Sequence, residues 1–246
     1  MEKRFLALAV GAAVLASVMP SAAGGLPDSP PEPQWTGFYA GGQLGGAWSD
    51  ANWAYKNSNW FNTLGPEVVI RNFAIEGGGF VGGGQTGFNF QSGAWVFGVE
   101  GSVAATDLDG SIRSPFFPEA DSYRADVGWL ASVTGRIGYA WSRWLAYGKG
   151  GWAGAEIELD LFDQVTPVRA KSGTWADGYT LGGGAEYALL NGFSLGVDYA
   201  YTDLDTDRLT VRCPTCPSGV GGGVPVVAGD IEFQSVTARI NYRFGN

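Results

Sequence analysis

The chain has 246 residues, with 24 acidic and 15 basic side chains, no histidine and a formal net charge of −9. An acidic balance argues against nucleic acid as a partner, and without histidine the common zinc, copper and haem sites and the base of a Ser-His-Asp triad are missing. Glycine is abundant at 40 residues and aromatics reach 14%, yet charged residues make up only 16%, fewer than a surface wholly in water normally carries.

Lys3 and Arg4 precede an apolar or small-residue run over 5–19, and Ser21, Ala22 and Ala23 follow. That order predicts a secretory signal peptide over 1–23. Residues 24–34 hold Pro27, Pro30, Pro31 and Pro33, the composition of an extended linker. Residues 35–246 are then long enough for one large all-β domain.

Period-two alternation marks the strands of that domain. Phe38, Ala40 and Leu44 oppose Tyr39 and Gln43 in the first, over 38–47. The second, over 80–91, sets Phe80, Phe88 and Phe90 against Gln85 and Asn89. A turn at Ser92 and Gly93 leads to the third, with Trp95, Phe97, Val99 and Val103 against Val96, Glu100 and Ser102. In the fourth, Trp129, Val133, Ile137 and Tyr139 oppose Ser132, Thr134 and Arg136, and a short link over 140–144 leads to the fifth, over 145–154. Tyr179, Leu181, Ala185 and Tyr187 oppose Thr180 and Glu186 in the sixth. The seventh sets Leu195, Val197, Tyr199 and Tyr201 against Ser194, Asp198 and Thr202. The eighth sets Val236, Ala238, Ile240, Tyr242 and Phe244 against Thr237, Arg239, Asn241 and Arg243.

The links between strands alternate between short and long, the long ones covering 48–76, 106–126, 156–173 and 203–228. A transmembrane barrel sorts its loops this way, with short periplasmic turns and longer extracellular loops. In such a barrel lipid covers the apolar face and polar residues line the interior. Three features favour that arrangement over a soluble barrel. Aromatics sit near the strand ends of the apolar face, as interfacial girdles do. The opposite face carries Glu100, Arg136, Lys149, Glu186, Asp198, Arg239 and Arg243, costly in a dry core unless paired. The signal peptide directs the chain out of the cytoplasm. The fifth strand is nearly equal in polarity on both faces, and its phase follows from energetics. A lysine at the lipid midplane costs about 2–4 kcal/mol, so Lys149 faces inward with Tyr147, and Trp152 faces lipid.

Trp35-Thr36-Gly37-Phe38-Tyr39, GGGQTGFNFQ over 82–91, WVFGVEG over 95–101, GRIGYAWSRWLAYGKGG over 135–151 and INYRF over 240–244 resemble the small outer-membrane β-barrel family of alphaproteobacteria. Its members are porin-like or immunogenic surface proteins of Gram-negative cells, similar in architecture to the eight-stranded OmpA-type barrel. The resemblance implies an integral outer-membrane location and contact with outer-membrane lipids and lipopolysaccharide. It implies assembly by the barrel insertion machinery, which reads a C-terminal aromatic signal, here Tyr242 and Phe244. Gly245 and Asn246 follow Phe244 and depart from a terminal aromatic. The family offers no catalytic residues and no cofactor to carry over; host or environmental surface ligands remain as partners for the loops.

Local motifs add little chemistry. Residues 192–196 match G-x-S-x-G, but they enter a strand, without a histidine partner, and read as a turn glycine and a lumen serine. The G-x-G-x-x-G matches near Gly77 and Gly82 open no helix and hold no dinucleotide. Cys213 and Cys216 are the only cysteines, and in a loop of an exported chain they read as a disulfide. Asp203, Asp205 and Asp207 lack the glycine and distal glutamate of a calcium loop and read as solvated charge. The sequence thus predicts no metal site and no enzyme, but a structural and surface-interaction barrel whose lumen is plugged by Glu100, Arg136, Lys149, Glu186, Asp198 and Arg239. The alternative is a narrow porin-like channel for small solutes or ions.

Overall fold

Eight antiparallel strands follow one another in chain order: β1 (Gly37–Tyr55), β2 (Asn72–Ser92), β3 (Trp95–Arg113), β4 (Asp121–Trp141), β5 (Trp144–Asp163), β6 (Val168–Ala188), β7 (Phe193–Thr210) and β8 (Val226–Arg243). Each pairs with the next, and β1 pairs with β8 to close the barrel. The computed structural model describes residues 33–55, 72–114, 119, 121–163, 168–210 and 226–244. The signal peptide expected over 1–23 lies outside them. At one end the hairpins are tight, and Gly93, Ser142, Asn191 and Gly192 take the positive φ that such turns require (61°, 52°, 58° and 80°).

The strands run well beyond the belts expected from the apolar pattern, to between 18 and 21 residues each. At about 3.3 Å per residue and a tilt near 40° a strand of that length climbs about 50 Å, twice the ~25 Å apolar band of a membrane barrel. Much of the expected loop sequence is therefore strand. Residues 48–55 extend β1, and 106–113 extend β3. The alternation persists there, but its polarity is reversed.

Near the tight turns the outer face is apolar and bare: Phe38 is 66% exposed, Val99 and Val133 60% each, with Leu44, Leu181 and Val197 similarly open. Only lipid removes such a belt from water. The inner face at that level is polar. Further along β1 the same phase continues, but Asp50 and Asn52 point out while Ala47, Ala51 and Trp53 point in. β5 switches likewise, from Tyr147 and Lys149 inside to Ala155, Ile157, Leu159 and Leu161 inside. These residues join Phe73, Ile75, Leu108, Tyr123, Leu204, Ile231 and Phe233 in one apolar core, with the Phe73 and Tyr123 rings edge-on at 5.2 Å. The far half of the barrel is thus built like a soluble protein, oil inside and charge outside. In β4 the change of level coincides with a register shift between Val127 and Leu130. Val127 is buried there and Trp129 is exposed, as a bulge re-aims the alternation. Trp48, Trp129, Trp152 and Tyr179 stand exposed near this boundary, and Phe90, Trp95, Tyr139 and Tyr242 mark the opposite edge of the belt.

Candidate functional site: the charged lumen

The six charged residues expected in the lumen lie on β3 to β8 and meet at one level inside the barrel. Arg136 and Lys149 stand directly opposite each other on β4 and β5, an arrangement that is repulsive unless anions intervene. Glu100 intervenes, 3.3 Å from Arg136 and 3.8 Å from Lys149. Arg136 also reaches Glu186 at 3.2 Å, and Lys149 reaches Asp198 at 2.6 Å. Arg239 spans to Glu100 at 2.5 Å and to Asp198 at 3.4 Å. Three carboxylates thus balance three cations, and the side chains of all six are nearly sealed from solvent.

Hydroxyls and amides add to the set, although the Nε–H groups of Arg136 and Arg239 find no acceptor. The Tyr39 hydroxyl donates to Glu100 at 2.7 Å and accepts from Arg136 at 3.1 Å. Tyr147 does the same between Asp198 and Arg239, both at 2.7 Å, and its ring lies 4.4 Å from the Arg136 guanidinium carbon. Glu186 accepts from Ser194 at 3.0 Å and Asn241 at 3.2 Å, and Asn241 in turn accepts from Gln85 at 2.7 Å. Glycine makes room for these groups. A Cβ at Gly87 would meet the Tyr39 hydroxyl at 2.5 Å, and one at Gly184 the Tyr147 hydroxyl at 2.7 Å.

Above this layer, toward the apolar core, a cavity of about 70 Å³ touches Lys149, Asp198, Gln43, Thr180 and Thr237 on one side and Val81, Ala104 and Phe233 on the other. It has room for a few waters. Below the layer, Trp35, Val96, Ala140, Leu145, Tyr147 and Ala188 form a second apolar cluster across the barrel mouth. The lumen is thus lined in three layers: an apolar cluster at the mouth, the charge network, and the apolar core.

Tyr242 and Phe244 face outward with rings edge-on at 5.1 Å, both exposed. Cys213 and Cys216 lie outside the described residues. Ser194 of the G-x-S-x-G match is buried, and its hydroxyl is engaged by Glu186. Asp203 points outward and accepts from the Tyr179 hydroxyl at 3.0 Å. Among the described residues no cluster of carboxylates or thiolates is arranged to hold a metal. Alternation placed Tyr39 and Tyr147 inside but gave no sign that their hydroxyls bridge acid to base. Trp35, which lies before the first strand, carried no signal of its place in the mouth.

The outer membrane protein beta-barrel domain family matches residues 6–244. The 31 kDa outer-membrane immunogenic protein of Brucella melitensis is 31% identical over 218 residues, which cover 85% of this chain and 84% of that protein. A 22 kDa outer membrane protein of Rhizobium leguminosarum is 32% identical over 125 residues, 51% of this chain and 53% of that one. The Pseudomonas aeruginosa outer membrane protein OprG superposes with a TM-score of 0.43 and 12% identity, over 86% of this chain and 97% of that one.

Proposed function

The chain belongs to the outer membrane protein beta-barrel domain family and is an integral outer-membrane barrel of the immunogenic surface type, and from that premise we propose that it is a structural, non-catalytic surface protein with a closed lumen. The observation that carries this reading is the neutral six-charge network across the interior. An eight-stranded barrel is just wide enough for side chains to fill, and each permeating ion would have to displace an existing partner. The engaged Ser194 and the absence of histidine from the sequence support a non-catalytic role. Partners on this reading are outer-membrane lipids and lipopolysaccharide around the belt, the assembly machinery acting on Tyr242 and Phe244, and host or environmental ligands at the polar far half.

Planar-bilayer recording tests the closed lumen. The unmodified protein is expected to show almost no single-channel current, and Arg136→Gly combined with Glu186→Gly a measurable leak. A large, steady current from the unmodified barrel would replace this reading with that of a porin-like channel.

A further inference from the structure

Among the described residues, four cationic side chains enter the barrel near the belt, and three of them are paired with carboxylates. Arg136, Lys149 and Arg239 each contact two carboxylates. Arg243, one residue beyond Tyr242 at the mouth, is 7% exposed and has no carboxylate within salt-bridge distance among the described residues. Its Nε–H is buried without an acceptor, and so is the indole N–H of Trp35, which is 2% exposed. The two residues are in contact, the guanidinium carbon lying 5.3 Å from the Trp35 ring. A buried donor without an acceptor is costly, and a buried charge without a partner more so.

The mouth is built to keep them together. Gly37 adopts φ +137°, a backbone conformation that a side chain would strain, and a Cβ there would crowd the Phe244 carbonyl at 3.0 Å and touch the Arg243 Cγ at 3.5 Å. This bend carries Trp35 back over the opening. Its backbone N–H then donates to the Gln91 side chain at 2.7 Å, and the Gln91 N–H donates to the Thr36 hydroxyl at 2.9 Å. Trp35 is thereby pinned beside the Arg243 guanidinium.

We propose that the turn-side mouth of the barrel is a carboxylate-binding site, with Arg243 supplying the charge and the indole N–H of Trp35 a second donor. The class of ligand follows from charge. The deeper network is already neutral, so a single negative charge completes the interior. A carboxylate supplies one, whereas a phosphate monoester near neutral pH carries about 1.5 to 2. The planar fork of a guanidinium matches a carboxylate bidentately. The carboxylate comes either from a separate periplasmic molecule or from the chain's own Glu32, three residues before Trp35. The site does not depend on whether the lumen conducts.

The test is the side-chain NMR of the nitrogen-15-labelled protein in detergent micelles, titrated with N-acetylglycine against chloride at equal ionic strength. Trp35→Phe and Arg243→Lys identify the two resonances. The Arg243 Nε–H and Trp35 indole signals are expected to shift saturably with N-acetylglycine and not with chloride. Arg243→Lys, which keeps the charge but loses the fork, should weaken the response of the Trp35 indole at least tenfold. A response seen in Glu32→Gln but not in the unmodified chain would support the site and assign its occupant to the linker. Equal responses in both would support a separate ligand. No saturable shift in either protein would overturn the proposal, and tighter binding of inorganic phosphate would overturn the choice of carboxylate.

Discussion

Arg239 shows how much hangs on one side chain in this lumen. It contacts Glu100, Asp198 and the Tyr147 hydroxyl at once, so its removal leaves three buried carboxylates facing only two cations, Arg136 and Lys149. Breaking one partner of a buried pair costs about 3–5 kcal/mol, because the remaining charge stays uncompensated. Arg239→Leu is therefore expected to lower the urea unfolding midpoint markedly. Lys171, whose ammonium sits 2.7 Å from Glu158 on the outer surface, is half exposed, and solvent screening leaves such pairs little energetic weight. Lys171→Leu should leave the midpoint unmoved. Equal shifts in the two variants would contradict the sealed network. Arg136 and Lys149 make the same point in the sequence: the inward phase of Arg136 follows from alternation and that of Lys149 from the cost of placing charge in lipid, yet their direct opposition across β4 and β5 depends on register, which alternation along one strand does not encode.

A strand of this barrel is two strands end to end. β3 exposes Trp95, Phe97, Val99 and Val103 along the belt, then Asp107, Asp109, Ser111 and Arg113 beyond it. Its inner side runs from Val96 and Glu100 to Ala104 and Leu108. One outward position therefore tolerates charge and another does not. Val133→Arg on the belt is expected to destabilise the protein in lipid by about 2–4 kcal/mol, whereas Ser111→Arg, outward on the far half, should be neutral. Folding titrations in lipid vesicles read both. A comparable loss at Ser111 would mean that lipid also covers the far half.

For the whole molecule, the two aromatic edges define how the barrel sits in a bilayer. Tryptophan quenching by lipids brominated at graded depths, in variants retaining one tryptophan each, provides the measurement. Trp95 and Trp129 are expected to quench most strongly with shallow labels, Trp95 at the tight-turn edge and Trp129 at the other. Trp53, fully buried in the far core, should resist both lipid-borne bromine and aqueous acrylamide. Acrylamide quenching of Trp53 would show that the far interior is wet and would count against the proposed closed lumen.

Period-two alternation with a polar inner face was enough to read eight antiparallel strands, three tight turns, the lipid-facing belt and the inward phase of Glu100, Arg136, Glu186, Asp198 and Arg239, and the cost of a lysine in lipid added Lys149. These are properties of single strands, set by which face of an extended chain lipid will accept. The far half was not legible as strand, because residues 48–55 and 106–113 keep the alternation but exchange its polarity, and a polar stretch after an apolar belt reads as loop. Whether it pairs depends on partners distant in sequence, as Trp53 opposite Phe73 and Gly229 does. The place of Trp35 beside Arg243 was likewise decided by closure of β1 on β8, and the phenolic bridges of Tyr39 and Tyr147 by which side chains face each other across the lumen. Only closure sets residues near the two ends of the chain against each other at hydrogen-bonding distance.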